Sequence, residues 1–192
     1  EGIIEAAAAV VCANDDFLTL YPGRIARYGL RKCKLHMLRV APRQELRLGM
    51  AVMSDLGLVR YLGYAELAEA AVLRRQLEAE QRNALDNGVH LIAVQSADGT
   101  LVVGDSHHTA ATPDPFAPEA VDEIIMAEFD SVLEAPGRRI VERWTGIYPT
   151  APDRLMLVDK PADGVRVVII TSGTGASTSF AIGEQVIGDL FD

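Results

Sequence analysis

Residues 165–171 read VRVVIIT, and they run directly into Ser172-Gly173-Thr174-Gly175-Ala176-Ser177-Thr178-Ser179 and an amphipathic tail ending at Asp192. A β-branched run of this kind predicts a buried parallel strand, and the small residues after it predict a tight loop and the start of a helix. The first N–H groups of a helix have no partner within it, and the helix dipole places partial positive charge there. With Gly173 and Gly175 allowing close approach to the backbone, the loop is a candidate anion site.

The remaining chain has to supply whatever that loop serves. Of 192 residues, 49% are hydrophobic and 23% charged, which suits a soluble globular chain with room for one large domain or two interleaved ones. A net charge of -9 without a basic block argues against a nucleic-acid or anionic-membrane surface, leaves room for a local cationic pocket, and favours a small-molecule partner. Cys12 and Cys33 lie in apolar runs and are expected to be reduced, buried thiols of a cytoplasmic protein. The longest apolar run, residues 6–13, is too short to cross a bilayer. The sequence begins at Glu1 rather than Met, which predicts a fragment or a processed chain.

Residues 6–13, AAAAVVCA, have the pattern of a parallel strand covered on both faces, ending at Asn14-Asp15-Asp16. Asp15 or Asp16 would cap a short helix over residues 17–20, stopped by Pro22-Gly23. Residues 30–40 alternate with mixed character on both faces, as in a strand partly covered and partly at a cleft. Short extended pieces are expected at 49–53 and 56–62, and an amphipathic helix at 65–85 closed by Asp86-Asn87-Gly88. The Asp98-Gly99 pair predicts a hairpin between residues 89–94 and 100–104. A Pro-rich loop then leads to a helix from Pro118 to about residue 133, stopped by Pro136-Gly137. Strands follow at 138–148 and 155–158, and the Asp163-Gly164 turn leads into the run at 165–171. The two doubly buried strands thus lie at opposite ends of the chain, with antiparallel hairpins and helices between them. A nucleotide-binding sheet needs several parallel strands and a glycine-bearing first turn, which this chain lacks.

Four stretches, in order, resemble the C-terminal portion of the D-amino-acid oxidase family of FAD-dependent amine oxidoreductases. They are Ala9-Val10-Val11-Cys12-Ala13-Asn14, Leu101-Val102-Val103-Gly104-Asp105, the Trp144-x-Gly146-x-x-Pro149 passage, and the Gly-rich loop and helix over residues 172–182. The resemblance implies a mixed α+β and α/β fold: an antiparallel substrate-binding sheet with helices (31–145) and an incomplete three-layer FAD-domain remnant formed by the chain ends (1–30 and 146–192). It also implies FAD, bound non-covalently in the full-length protein and absent from this piece, which lacks the family's Gly-x-Gly-x-x-Gly segment. Ala13, Asn14, Gly173, Thr174, Gly175, Ala176, Ser177 and Thr178 are the implied cofactor-binding residues, and the reaction is hydride transfer from an amine-bearing carbon to flavin. The overall pattern, with the two histidines after the hairpin, also resembles a subgroup associated with aminophosphonate breakdown.

His107, His108, Arg143 and Tyr148 are the candidate substrate-binding residues, Tyr148 standing where several relatives carry an Arg that clamps the substrate carboxylate. Adjacent strand residues point to opposite faces, so only one of the two histidines is expected to face substrate, and a surface loop is the other reading. Arg143 could hold an anionic group, or instead stack on Trp144 or pair with Glu142. Met37 and His36 are further candidates for lining a cavity. No metal site is expected, because Asp105, His107 and His108 alternate and His36 and His90 lie on other elements. Rival readings are an inactive truncated piece without flavin, and a hydrolase built on Ser177, although Gly175-Ala176-Ser177 lacks the second glycine of a nucleophile elbow. Apolar faces of the end-strands are expected to be exposed or covered by a second copy of the chain.

Overall fold

The computed structural model describes residues 2–191; the expected chain ends, Glu1 and Asp192, lie outside the described residues. The elements in order are β1 (Ala9–Val11), α1 (Pro22–Ile25), β2 (Arg31–Ala41), β3 (Val52–Met53), α2 (Leu62–Ala65), α3 (Ala68–Glu80), α4 (Arg82–Asp86), β4 (Ile92–Gln95) and β5 (Leu101–Gly104). They continue with β6 (His108–Ala110), α5 (Glu119–Val132), β7 (Arg139–Thr150), β8 (Met156–Ala162), β9 (Val165–Ile170) and α6 (Gly175–Phe191). The fold is mixed α/β with antiparallel strands and helices, divided into two compact units. One takes the chain up to Cys33, Thr109–Pro113 and everything from Ile147 onward; the other is Lys34–His108 with Asp114–Gly146.

The first unit is built on the VRVVIIT run. As β9, its four central residues are buried, and it forms the middle strand of the sheet β1-β9-β8. β1 pairs with it in parallel, Ala9 opposite Val165 and Val11 opposite Val167, while β8 pairs antiparallel. Gly164 makes the β8–β9 turn at φ 69°, and an added Cβ would lie 2.9 Å from the Ala7 carbonyl oxygen, so only glycine serves both the turn and the close strand. Arg166, the one charge inside the run, donates to the Asp189 carbonyl at 2.7 Å, placing a cation on the last turn of α6. Asp159 of β8 accepts from Arg24 at 2.5 and 3.0 Å and from the Tyr28 hydroxyl at 2.7 Å. The Arg24 guanidinium, ahead of the Tyr28 bond, holds that carboxyl below its ordinary range. The buried core is small: Ile25, Leu157, Val167 and Ile169.

Two expectations fail in this unit. Residues 6–13 are not covered on both faces: Val10 and Cys12 are exposed, and β1, paired only with β9, also has an open edge. An all-apolar pattern shows what a strand can tolerate around it, and the covering layer has to come from other segments. Residues 17–20 form a turn rather than a helix, with Asp16 Oδ1 accepting from the Leu18 and Thr19 N–H groups at 3.1 and 3.0 Å. The helix begins at Pro22, where a stop was expected, since proline's fixed φ and missing N–H suit a first turn.

The second unit is built on an antiparallel sheet, β3-β4-β5-β2. The expected hairpin is present: Ala93 stands opposite Val103 and Gln95 opposite Leu101, with Gly99 at φ 83°. Leu38, Val40, Leu101 and Val103 from the sheet, Leu77 and Ala84 from α3 and α4, and Ile125 and Phe129 from α5 close one continuous buried cluster. Gly104 abuts Met37, whose Sδ would be 2.6 Å from an added Cβ, so a side chain at the end of β5 would have to push the Met37 thioether aside. The expected helix over residues 65–85 is two helices, broken at Gln81 with φ -132° and ψ 38°. Residues 56–62 are helical rather than extended, a 3-10 helix over Asp55–Val59 leading to α2, because Leu56 and Val59 turn into the core at helical spacing. The described residues contain no disulfide; Cys33 is buried as expected, and Cys12 is not. No helix among them is long and apolar enough to cross a membrane.

Candidate functional site

In the first unit, α6 crosses the sheet and leaves an apolar groove of about 330 Å3 beside it. Val10, Cys12, Val168 and Ile170 form the sheet wall, and Ile182, Val186 and Ile187 the helix wall. Asn14, Gly175 and Ser179 rim it with polar atoms. Two of the expected cofactor-binding residues, Asn14 and Gly175, are therefore brought to one groove by the parallel β1–β9 pairing. Asn14 lies just past β1 at φ 51°, in the left-handed region that Asn tolerates. Gly173, Thr174, Ala176, Ser177 and Thr178 are exposed around the start of α6, and Ala13 is half-buried.

The hydroxyls of that loop are turned inward on their own helix. Ser177 Oγ and Thr178 Oγ1 donate to the Thr174 carbonyl at 3.0 and 2.9 Å, and Ser179 Oγ to the Ala176 carbonyl at 2.9 Å. What the helix start presents outward is backbone N–H and the positive end of the dipole. The same bonds weaken a nucleophilic role for Ser177: its hydroxyl hydrogen points at a carbonyl.

In the second unit, His107 and His108 split as their alternation requires. His107 Nδ1 donates to the Gly88 carbonyl at 2.8 Å, and its ring lies against His90, the centroids 4.8 Å apart. His108 Nε2 meets Asn87 Oδ1 at 3.1 Å, and its ring stands edge-on to His36 at 5.8 Å. His36 is buried, with Nδ1 3.2 Å from Asp122 Oδ1. Arg143 donates through Nε to the other oxygen of Asp122 at 2.9 Å. The expected alternatives for Arg143, a stack on Trp144 or a pair with Glu142, give way to that bond, and Glu142 pairs instead with Arg39 at 2.7 Å. With Glu119, Glu123, Met126, Arg138 and Ile140, Asp122 and Arg143 line a pocket of about 410 Å3. Tyr148 is half-buried in the first unit.

Sequence reasoning missed Asp122 and His90 as site residues. Asp122 stands in the first turn of α5, where an acid suits the helix dipole, but it is 3% exposed and bridges His36 and Arg143. His90 exchanges backbone hydrogen bonds with Asp105 at 2.9 and 3.1 Å. The regular register, Ile92 opposite Gly104, would put residue 106 there, so the ladder slips by one residue beyond the hairpin. That slip collects His90, Asp105 and His107, and Arg60 NH1 meets His90 Nδ1 beside them. Burial, more than the Arg60 charge, lowers the His90 pKa to about 3 and the His107 pKa to about 4. Burial raises the Asp105 pKa to about 6, against the pull of Arg60.

Compared with known families, residues 2–188 match the family described as FAD dependent oxidoreductase, DAO. The chain belongs to the DAO family. Among solved structures it is similar to glycine oxidase from Geobacillus kaustophilus, with a TM-score of 0.57 and 17% sequence identity over 86% of this chain. At that identity the likeness concerns the fold, and the chain spans 37% of the length of that oxidase. No curated protein matches it.

Membership in the DAO family implies FAD, and the groove can be tested against it. Ligand pockets run from about 300 to 1,000 Å3, so 330 Å3 suits one ring system and not a whole dinucleotide. Apolar walls and a rim of amide donors fit the ring end of the cofactor. A pyrophosphate grip has no counterpart, since no Gly-x-Gly-x-x-Gly occurs in the sequence.

Proposed function

We propose that this DAO-family chain is the C-terminal part of an FAD-dependent oxidoreductase acting on a small amine or amino acid. The groove beside α6, rimmed by Asn14 and the first turn of the helix, is the observation that carries this reading. FAD bound with its ring there would accept a hydride from the amine-bearing carbon of the substrate. The backbone amides at Gly175, Ala176 and Ser177 would stabilise negative charge developing beside the helix start, favouring the state after transfer over the state before it. Val10, Val168, Ile170 and Ile182 would keep water from the same face.

For the substrate, the pocket lined by Arg143 holds three carboxylates (Glu119, Asp122, Glu123) against two guanidiniums (Arg138, Arg143). That balance favours a cationic amine over a phosphonate dianion, and Arg143 already spends its Nε on Asp122. The alternative, a piece that holds no flavin, is supported by the 37% span and makes a different prediction.

Purification of the chain with its flanking coding sequence, followed by FAD addition and gel filtration, tests the reading. The expected product is yellow and is bleached without oxygen by a member of a panel of amino acids, N-methyl amines and aminophosphonates. A colourless protein overturns the assignment, whereas colour in the longer protein and none in residues 1–192 alone supports the inactive-piece reading for this segment. An added Cβ at Gly183 meets nothing within 4 Å, so Gly183→Ala adds a methyl to the groove lining without a clash. It is expected to weaken FAD retention by about tenfold or more, equivalent to at least ~1.4 kcal/mol.

A further inference from the structure

We propose that His90, Asp105 and His107 form a binding site for a divalent transition-metal ion, with zinc the best match. One ligand atom from each residue lies within 4.8 Å of the others, and His107 Nε2 is already 3.7 Å from Asp105 Oδ2. Zinc binds imidazole nitrogen and carboxylate oxygen at about 2.0–2.2 Å, so tetrahedral ligand atoms stand about 3.4 Å apart. The trio has to close by no more than about 1.4 Å, which side-chain rotation supplies.

The surroundings are arranged as metal-ligating histidines require. His107 donates its Nδ1 hydrogen to the Gly88 carbonyl at 2.8 Å, with His90 Nδ1 3.2 Å from the same nitrogen, which holds the ring with its Nε2 edge toward Asp105. Gly88 makes this possible: at φ 58° an added Cβ would lie 2.9 Å from His107 Cβ. Two imidazoles and a carboxylate suit a zinc centre with one position left for water. The His107 and Asp105 side chains retain 14% and 19% exposure, so an ion and its water can enter. The backbone pairing of His90 with Asp105 holds two of the three ligands on one rigid ladder. Arg60, which meets His90 Nδ1, supplies the positive charge beside Asp105 when no ion is bound. An ion entering the trio displaces that guanidinium, so Arg60 competes with the metal and sets its affinity. The other histidine pair does not qualify, because His108 faces Asn87 and His36 faces Asp122.

The test uses the whole chain without an affinity tag, stripped with chelator and titrated with Zn2+ by calorimetry and with Co2+ by visible absorption. One ion per chain is expected, with the cobalt bands of nitrogen and oxygen ligands and no thiolate charge-transfer band. Asp105→Asn and His107→Gln should each weaken binding at least tenfold, His108→Gln should leave it unchanged, and Arg60→Gln should tighten it. Because a ligand variant can fail to fold, imidazole nitrogen NMR of the unmodified chain provides a second reading: Zn2+ should move the His90 and His107 signals and not those of His36 and His108. Absence of stoichiometric binding in both the native chain and Arg60→Gln overturns the proposal. So does undiminished binding in folded Asp105→Asn, or a zinc response confined to the other two histidines.

Discussion

The two units solve the same problem differently. In the second, a sheet, α3 and α4, and α5 surround one buried cluster in which Leu38, Ile125 and Phe129 are fully enclosed. In the first, the buried hydrophobic cluster is Ile25, Leu157, Val167 and Ile169, while Phe180 is 92% exposed and Phe191 67%. Close packing on all sides confers stability and leaves little room for a ligand. A strand with one uncovered edge and a helix with apolar groups in solvent provide binding surface instead. The first unit, with the smaller core, carries the apolar groove, and the second buries Asp122 between His36 and Arg143.

The largest effect should come from the second unit. Phe129→Ala empties the centre of its cluster and is expected to cost about 3–5 kcal/mol in urea unfolding. A cost under about 1 kcal/mol would break the contrast between the units. Next in size is the response to acid, measured by urea midpoints between pH 7 and 5 in chelator. His90 and His107, held near 3 and 4, stay neutral in the folded chain while the unfolded chain takes up protons below about 6.5, so stability falls as pH falls. Asp105, near 6, acts in the opposite direction: the folded chain keeps its proton longer, and stability falls as pH rises from about 4 through 6. Two histidines outweigh one carboxyl, for a net loss on the order of 2 kcal/mol at pH 5. Asp105→Asn should steepen the decline and His90→Gln should flatten it; the reverse order would mean that the cluster is not buried as described. The smallest effect belongs to the first unit, where Phe180→Ser should change stability by less than about 0.5 kcal/mol. A larger loss would show that Phe180 is covered in solution, for instance by a second copy, and concentration-dependent sedimentation would detect that copy.

Much of this was legible in the chain. The Asp98-Gly99 hairpin, α5 and the passage from β9 into α6 follow from turn chemistry and periodicity that act within a few residues. The same local rules misplaced the helix near Pro22, because a proline reads equally as a stop and as a first-turn residue until its neighbours are known. The candidate site was legible by halves. Asn14 and Gly175 were named and do meet at one groove. Asp122, the partner of Arg143, was not, since a first-turn acid on a helix looks solvated until a strand is packed against it.

By itself, then, the sequence determined the Asp98-Gly99 hairpin, the helix α5, where β9 ends in a glycine loop, and which family the chain resembles, because those depend on residue type and short-range geometry. Only the tertiary structure decided that β1 has an open edge, that Arg143 is held by Asp122, and that His90 stands beside Asp105 and His107. Each of these joins residues far apart in the chain, and a slip of one position in strand register is enough to create or abolish the contact.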